Sequence, residues 1–283
     1  MSAGTDAVEA AACERRRMEI PNLGFGTYQM DDRNECVRAI ELAMETGYEH
    51  VDTAQMYDNE AFVAAGLDES GIDRDEVFVA TKLDTDNLAY DDVKRTAKES
   101  AEKLGTDTID LLYVHWPINT YDPVETLSAL DELVEEGVIE RVGLSNFRPD
   151  QLEDAIEHLD EPLYAHQVEM HPMLPQEELH ELAVEHDHQL VAYCPIARGQ
   201  VADVPEIQAV AEKHDATPAQ VSLAWLMGKE NVTAIPKAAS PDHIRENFAA
   251  RDLELDDADR EKIDGIETRE RIVDFDEAPW NNA

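Results

Sequence analysis

The sequence predicts a single-domain α/β protein of the (β/α)8 class, the TIM barrel. Its 283 residues are close to the usual length of one such barrel. Eight short apolar runs alternate with segments of helical periodicity, and no long linker interrupts the alternation. We therefore expect one barrel domain with a C-terminal tail over residues 21–283, preceded by a loose leader over residues 1–20.

The eight apolar runs are the expected strands, because each is short and apolar, as barrel strands are. In chain order they read LGFGTY (23–28), EHVDTA (49–54), VFVATK (77–82), IDLLYVHW (109–116), IERVGLSN (139–146), LYAHQVEM (163–170), QLVAYCP (189–195) and VTAIPK (232–237). Helical periodicity follows at Asn34–Thr46, Asp92–Leu104, Pro123–Glu135, Asp150–Leu159, Glu177–His186, Ala219–Gly228 and Pro241–Phe248. A doubly wound sheet is the second candidate, but it would more naturally open with a Gly-rich turn, which this sequence lacks.

The chain is strongly acidic, and its charge limits the expected partners. It contains 23 Lys and Arg against 64 Asp and Glu, a formal net charge of −41 spread along the whole length. Apolar periodicity argues against disorder, and the charge argues against binding nucleic acid or an anionic membrane. Adaptation to molar salt, where the Debye length falls to about 3 Å, accounts best for the charge, with a cation-binding partner as the weaker alternative.

Cysteine usage and the N-terminal residues indicate a cytoplasmic protein. Cys13, Cys36 and Cys194 form no CxxC pair and no even framework, as is usual in a reducing cytosol. The first twenty residues contain no apolar run of signal-peptide length, and no later run reaches about 18 apolar residues. Cys194 has no base signature beside it and is expected to be a small packing residue.

Four titratable residues follow three neighbouring predicted strands, where barrels carry their reactive groups. Asp52 ends the second strand, Tyr57 lies in the loop after it, Lys82 ends the third and His115 the fourth. A phenol can protonate the oxygen that gains charge when a hydride reduces a carbonyl. A neighbouring ammonium would lower the pKa of that phenol, a carboxylate would keep the ammonium charged, and an imidazole could position the substrate oxygen.

Each of these residues alone has a commoner structural explanation. The acid would cap a loop, the phenol would pack, the lysine would be a surface cation and the histidine a satisfied buried side chain. Their joint placement at three successive strand ends favours a catalytic role.

The sequence resembles the aldo-keto reductases from about Pro21 onward. The motifs GFGTY, VDTAQMYDNE, TKL, DLLYVHWP, VGLSNF, HQVEMHP and IPK…IRENF occur in that family's order and spacing. DTAQMYDNEA, HDATPAQVSLAW and the ending RIVDFDEAPW are most similar to prokaryotic reductases of diketogluconate and methylglyoxal. The resemblance assigns the same four catalytic roles and implies NAD(P)H-dependent reduction of small aldehydes, ketones or dicarbonyls to alcohols.

The resemblance also implies a nicotinamide dinucleotide site in three parts. Amide and hydroxyl side chains would hold the nicotinamide carboxamide while a tyrosine stacks on the ring, and the loop PIARGQ would follow the pyrophosphate. IPK and the next helix would hold the adenosine end. The expected cofactor residues are Gly26, Thr27, Ser145, Asn146, Gln167, Tyr193, Pro195, Ile196, Arg198, Gly199, Lys237, Ala238, His243, Glu246 and Asn247.

Two departures from the family pattern affect the expected specificity. Asp84 stands where the family often has a Trp two residues after the catalytic Lys, so it either disfavours carboxylate substrates or points to solvent. Ala238 and His243 replace the usual Ser and Arg after Lys237, so we expect NADPH to be preferred by a reduced margin, with NADH usable. The expected substrate pocket consists of Tyr28, Asp84, His115 and Trp116.

Other functions are weaker predictions. His166, Glu169 and His171 alternate along a strand and do not share one face, so no metal is expected and a metal-dependent isomerase is disfavoured. A nucleotide-binding, redox-sensing barrel with little turnover remains the alternative to an enzyme. The expected partner is a small carbonyl substrate, and the expected state is a monomer or small homo-oligomer.

Overall fold

The structure of the chain, a computed structural model, describes residues 18–281. Its strands are β1 (Phe25–Gly26), β2 (His50–Asp52), β3 (Phe78–Leu83), β4 (Leu111–Val114), β5 (Val142–Ser145), β6 (Leu163–Glu169), β7 (Gln189–Tyr193) and β8 (Val232–Ala234). They are parallel and pair in chain order. Parallel bridges of Leu23 with Ala234 and of Gly26 with Lys237 join β8 back to β1, so the predicted (β/α)8 barrel is confirmed.

The helices surround the strands and alternate with them. They are α1 (Arg33–Thr46), α2 (Glu60–Ser70), α3 (Tyr90–Leu104), α4 (Pro123–Glu135), α5 (Pro149–His158), α6 (Glu177–Glu185), α7 (Pro205–His214), α8 (Pro218–Met227), α9 (Pro241–Ala249) and α10 (Asp257–Asp264). Seven of them match predicted segments within about two residues. None of the helices within residues 18–281 is both long enough and apolar enough to cross a membrane.

Three helices, α2, α7 and α10, had no predicted counterpart. In α2 the contact with α1 runs through Gly66, where an added Cβ would lie 2.6 Å from Cβ of Ile40. A glycine at the helix contact weakens the apolar signal because it contributes no side chain. In α10 only Asp259 and Ile263 are buried, which is too few apolar positions to show a period.

The expected loose leader does not extend to residue 20. The Ile20 amide donates to Tyr164 Oη at 3.0 Å, and the carbonyl of Met18 accepts from Arg141 at 2.9 Å. The side chains of Met18 and Ile20 pack on a small buried cluster that includes Phe78 and is separate from the main hydrophobic core. Residues 1–17, including the rest of the expected leader, lie outside the described residues.

Strand register brings the predicted functional residues to one rim of the barrel. Asp52 is the last residue of β2 and pairs with Ala80 of β3. Lys82, two residues further along β3, pairs with Tyr113 of β4, and His115 follows that strand directly. Because parallel strands end at the same edge, the three side chains converge there.

Candidate active site

A buried ion pair forms the floor of the site. Lys82 and Asp52 are both almost wholly shielded from solvent, and Lys82 Nζ donates to Asp52 Oδ1. Nζ also donates to the carbonyl of Thr53 at 2.7 Å, and Asp52 Oδ2 accepts from Gln167 Nε2 at 2.7 Å. Burial lowers the pKa of Lys82 while the Asp52 carboxylate opposes that shift. Asp52 is therefore placed to hold the ammonium, as the sequence predicts.

Tyr57 lies directly beside this pair. It ends a short 3-10 turn, Gln55–Tyr57, and its ring centroid is 5.2 Å from Lys82 Nζ. The ring meets Tyr28 edge-on at 5.3 Å and His115 edge-on at 5.8 Å. The structure thus brings all four predicted catalytic residues together.

Two side chains that sequence reasoning missed fix the turn that carries Tyr57. Asn59 accepts from the Thr53 hydroxyl at 2.6 Å and donates to the carbonyl of Thr27 at 3.0 Å. Gln55 accepts from the backbone amide of Asp84 at 2.9 Å. Both lie within the quoted motif DTAQMYDNE, so the motif carries positioning residues besides its acid and phenol.

The expected lowering of the Tyr57 pKa is not found. Burial, followed by the charges of Asp52 and Tyr28, raises the pKa of Tyr57 well above its ordinary value. The physical reason is that removing the phenol from water penalises the charged phenolate, and the nearby Asp52 carboxylate adds to that penalty. The phenol is therefore held protonated, which still allows donation to an alkoxide, because an alkoxide is a stronger base than a phenolate.

His115 faces the same space as a neutral imidazole. Burial, and then the charge of Lys82, lowers its pKa well below the ordinary value. Its Nδ1 is buried and has no hydrogen-bond partner among residues 18–281, while its backbone carbonyl accepts from Asn146 Nδ2 at 3.0 Å. A neutral imidazole carries one N–H, which can donate to a carbonyl oxygen without adding a charge.

The residues expected around the nicotinamide form one hydrogen-bonded group. The Tyr193 hydroxyl donates to Asn146 Oδ1 at 2.9 Å, and Asn146 Nδ2 donates to Ser145 Oγ at 2.9 Å. Ser145 Oγ in turn donates to the carbonyl of Gln167 at 2.8 Å. The side-chain nitrogen of Gln167 donates one of its two N–H groups to Asp52, so its other N–H and its amide oxygen are left for a carboxamide.

The loop after β7 is held in an unusual backbone conformation. Cys194, Ala197, Arg198 and Gly199 have φ angles of 52°, 47°, 52° and 94°. Left-handed non-glycine residues cost about 1–2 kcal/mol each and are concentrated at functional sites. A Cβ at Gly199 would meet nothing within 4 Å, so this side of the loop is open to an approaching group.

Side-chain contacts support the same loop. The Ser222 hydroxyl donates to the carbonyl of Pro195 at 2.6 Å. Ile196 packs partly buried against the core. Burial raises the pKa of the Cys194 thiol to about 11, which agrees with a packing role.

The residues expected at the adenosine end occupy β8 and α9. Lys237 is exposed just after β8, at the bridge to Gly26, whereas Ala238 is buried and offers no side-chain donor. His243 is exposed in the first turn of α9, and Asn247 is buried in the last. Glu246 Oε1 accepts from the Thr217 hydroxyl at 2.8 Å, so this carboxylate is already engaged within the protein.

Tyr28 and Asp84, two of the residues expected to line the substrate pocket, differ in what they contact, as does the neighbouring Thr27. Tyr28, 46% exposed, stands at its mouth beside Tyr57. Thr27, expected to contact the cofactor, is buried and bonds the carbonyl of Asp52 with its hydroxyl at 3.1 Å. The carboxylate of Asp84 caps the amide of Asp86 at 3.1 Å, which favours the structural interpretation of Asp84.

The C-terminal tail forms part of the site, which sequence reasoning did not predict. The Trp116 ring meets Phe275 at 4.9 Å and Trp280 at 5.6 Å, while the imidazole of His115 lies 6.4 Å from it. Phe275 and Trp280 are isolated aromatic residues in an acidic tail, and this isolation was the sequence signal that could have indicated their role.

Within residues 18–281, no three His, Cys, Asp or Glu side chains are grouped so that they could hold a metal ion.

Comparison with known proteins identifies similar chains. The profile of the Aldo/keto reductase family matches residues 22–268. Methylglyoxal reductase DkgB of Escherichia coli O157:H7 is 36% identical over 260 residues, covering 90% of this chain and 96% of its own. Glyoxal reductase of Bacillus subtilis (strain 168) is 34% identical over 256 residues, covering 90% and 92%. A crystal structure of a protein assigned as 2,5-diketo-D-gluconic acid reductase B superposes with a TM-score of 0.88 at 36% identity, covering 92% of each chain.

Proposed function

We propose that this chain reduces small neutral aldehydes and dicarbonyls, with Tyr57 as the proton donor. The chain belongs to the aldo/keto reductase family and is an oxidoreductase acting on carbonyls. The observation that supports this reaction most directly is the position of the Tyr57 ring, whose centroid lies 5.2 Å from the buried Lys82 ammonium and 5.8 Å from the centroid of the His115 ring. The resemblance to prokaryotic diketogluconate and methylglyoxal reductases predicted from the sequence is confirmed.

The residues present fit a nicotinamide dinucleotide, which would supply the hydride when bound. Tyr193 and the Ser145–Asn146 pair offer a ring face and polar groups, and the open side of Gly199 admits a close approach. These contacts are compatible with the binding of NADPH and with the binding of NADH.

The chain's own residues supply the proton and the orientation. His115 donates its one N–H to the carbonyl oxygen and places that oxygen beside the phenol. As negative charge grows on the oxygen, the Tyr57 proton moves to it, and the nearby Lys82 ammonium stabilises the phenolate that remains. Asp52 and Gln167 keep the ammonium in place during this step.

Nucleotide preference follows from the adenosine end. The exposed Lys237 can make one charge-assisted contact with a 2′-phosphate, whereas buried Ala238 provides no hydroxyl for a second. His243 is exposed and can stack on a base whichever nucleotide is bound. The proposal is therefore that NADPH is preferred by a smaller margin than in relatives with the full Lys-Ser-Arg set, that NADH is usable, and that no metal is required.

The proposed substrates are small and uncharged, methylglyoxal among them. Two relatives are named as methylglyoxal reductase and glyoxal reductase, which supports small dicarbonyl substrates for this chain. Tyr57 and its supporting residues are complete, which favours turnover over the redox-sensing alternative.

The proposed setting is a cytoplasm rich in salt, with the chain acting as a monomer or small homo-oligomer. The composition supports this setting, since 64 acidic residues face only 23 basic ones. Nucleotide oxidation with methylglyoxal in molar KCl, with and without a chelator, tests the function. Tight nucleotide binding without turnover of any carbonyl would contradict it, and so would activity abolished by the chelator.

A further inference from the structure

Glu169 is a fully buried carboxylate on β6 that the proposed reaction does not use. Its Oε1 accepts from the backbone amide of Ile272 at 2.6 Å, and its Oε2 accepts from that of Val273 at 2.8 Å. His171 Nε2 lies 3.0 Å from Oε1 and completes the set. Within residues 18–281 no Lys or Arg pairs with Glu169, so its partners are two amides of the C-terminal tail and one imidazole.

These two amides begin a folded loop, residues 271–280, which we term the C-terminal segment. Asp274 Oδ1 accepts from Trp280 Nε1 at 2.8 Å, and the Arg271 guanidinium lies 3.8 Å from the centroid of the Trp280 ring. Arg148 donates to the carbonyl of Pro279 at 2.8 Å and holds the other end. The segment is therefore fixed to the barrel at both ends.

The C-terminal segment reaches the reaction space through Trp116. Phe275 and Trp280 pack on the ring of Trp116, which neighbours His115. On β6, Glu169 is two residues from Gln167, so the two side chains share a face of the strand. One strand thus fixes both the carboxylate of Asp52 and the start of the segment.

Apolar packing alone is a weak anchor for this segment. Besides its aromatic rings it carries Asp274, Asp276 and Glu277, three acidic side chains that gain nothing from burial in an apolar contact. By contrast, the hydrogen bonds that two successive backbone amides donate to a buried carboxylate are directional and are little screened by salt. They also satisfy amides that the docked segment would otherwise leave without partners.

We propose that Glu169 is a positioning residue for the carbonyl substrate, because it docks the C-terminal segment so that Phe275 and Trp280 complete the pocket wall at Trp116. The inference about the substrate rests on the proposed function, whereas the docking itself does not.

Glu169→Gln tests the docking. An amide keeps one acceptor but presents N–H groups to the second backbone amide, so one bond is replaced by opposed donors. Trypsin should then cleave after Arg269 or Arg271 on the order of tenfold faster than in the wild type, as mapped by mass spectrometry in molar KCl. Glu185→Gln, an exposed acid at the end of α6, should leave cleavage unchanged. Equal cleavage of Glu169→Gln and wild type would overturn the docking role.

The kinetic readout separates positioning from general damage. Glu169→Gln should raise KM for methylglyoxal on the order of tenfold, with the nucleotide Kd unchanged and kcat within about twofold. In a Trp280→Ala background the same substitution should add little to KM, because both changes act on one wall. An equal KM effect in both backgrounds, or a loss confined to kcat, would overturn the proposal.

A third variant covers failure of Glu169→Gln to fold. Deletion of residues 274–283 leaves Glu169 and its two amide partners in place but removes Phe275 and Trp280. It should raise KM for methylglyoxal as Glu169→Gln would, and an unchanged KM would overturn the proposal. If the wild type turns over no carbonyl, the proposed function fails, yet the cleavage experiment still decides whether Glu169 docks the segment.

Discussion

Lowering the pH from 7 to 5 should destabilise the fold by at least about 6 kcal/mol, because His50, His166 and His188 stay neutral in the native state and His115, whose pKa burial also lowers, adds to the loss. Burial, aided by the charge of Lys82, lowers the pKa of His50 to about 3. Burial, aided by His188, lowers the pKa of His166 to about 3. Burial, aided by His186, lowers the pKa of His188 to about 4.

The structure explains why these rings cannot accept a proton. Both nitrogens of His50 and both of His188 are buried and lack hydrogen-bond partners within residues 18–281. The His50 ring packs edge-on against Phe78 at 5.2 Å, and the His166 and His188 rings are 6.4 Å apart. A proton on any of them would bury a charge without a counter-charge.

The sign and size of the effect follow from proton linkage. A lowered native pKa means that the unfolded chain takes up protons first, so the contribution is complete above pH 6.5 and is lost as the pH falls toward the native value. Between pH 7 and 5 an unfolded histidine of pKa about 6.5 gains about 1.9 kcal/mol of proton binding that the native histidine does not match. Three such groups give the total of about 6 kcal/mol.

Equilibrium unfolding by urea at pH 7, 6 and 5 in molar KCl measures this loss. His188→Leu should reduce the difference between pH 7 and pH 5 by about 2 kcal/mol, and any constant packing cost cancels in that difference. His243→Gln, at an exposed position, serves as the matched control. A free energy of unfolding that is the same at pH 7 and pH 5 would refute the reasoning.

Three further predictions concern charge at the surface, in the nucleotide site and under the phenol. Thermal unfolding should occur at a higher temperature in molar KCl than in dilute buffer, because salt screens repulsion among the 64 acidic residues; a flat or falling Tm would contradict adaptation to salt. His243→Arg should raise the NADPH/NADH ratio of kcat/KM, since a guanidinium can grip a 2′-phosphate bidentately. An unmoved ratio, or a wild type that already discriminates by more than about a thousandfold, would contradict the account of the adenosine end. Asp52→Asn leaves Lys82 buried without its counter-charge and should cost about 3–5 kcal/mol of stability in urea unfolding, together with most of the turnover. Wild-type stability in that variant would show that the pair does not anchor the site.

The fold, and the meeting of the four proposed catalytic residues at one rim, could be predicted because their signals are local. Each strand is a short apolar run, and a residue at a strand's carboxyl end lies at the active rim of any such barrel. Asp52, Lys82 and His115 could be placed in this way without knowledge of any contact. The helices α2 and α10 could not, because a contact glycine and sparse apolar residues hide their periods.

The remaining features depend on contacts between distant parts of the chain. Gln167 reaches Asp52 across 115 residues, and Glu169 reaches Val273 across 104, so no spacing in the sequence indicates either bond. The direction of the Tyr57 pKa shift also depends on burial and on the charges of Asp52 and Tyr28, which a list of motifs cannot weigh.

The most direct test of the account is hydride transfer in Tyr57→Phe, measured in a single turnover with methylglyoxal alongside the nucleotide Kd. If the phenol is the proton donor, the transfer rate should fall on the order of 10²- to 10⁴-fold while the nucleotide Kd stays within about twofold of wild type. A rate close to that of the wild type would show that Tyr57 does not donate the proton, and the assignment of the site would be wrong.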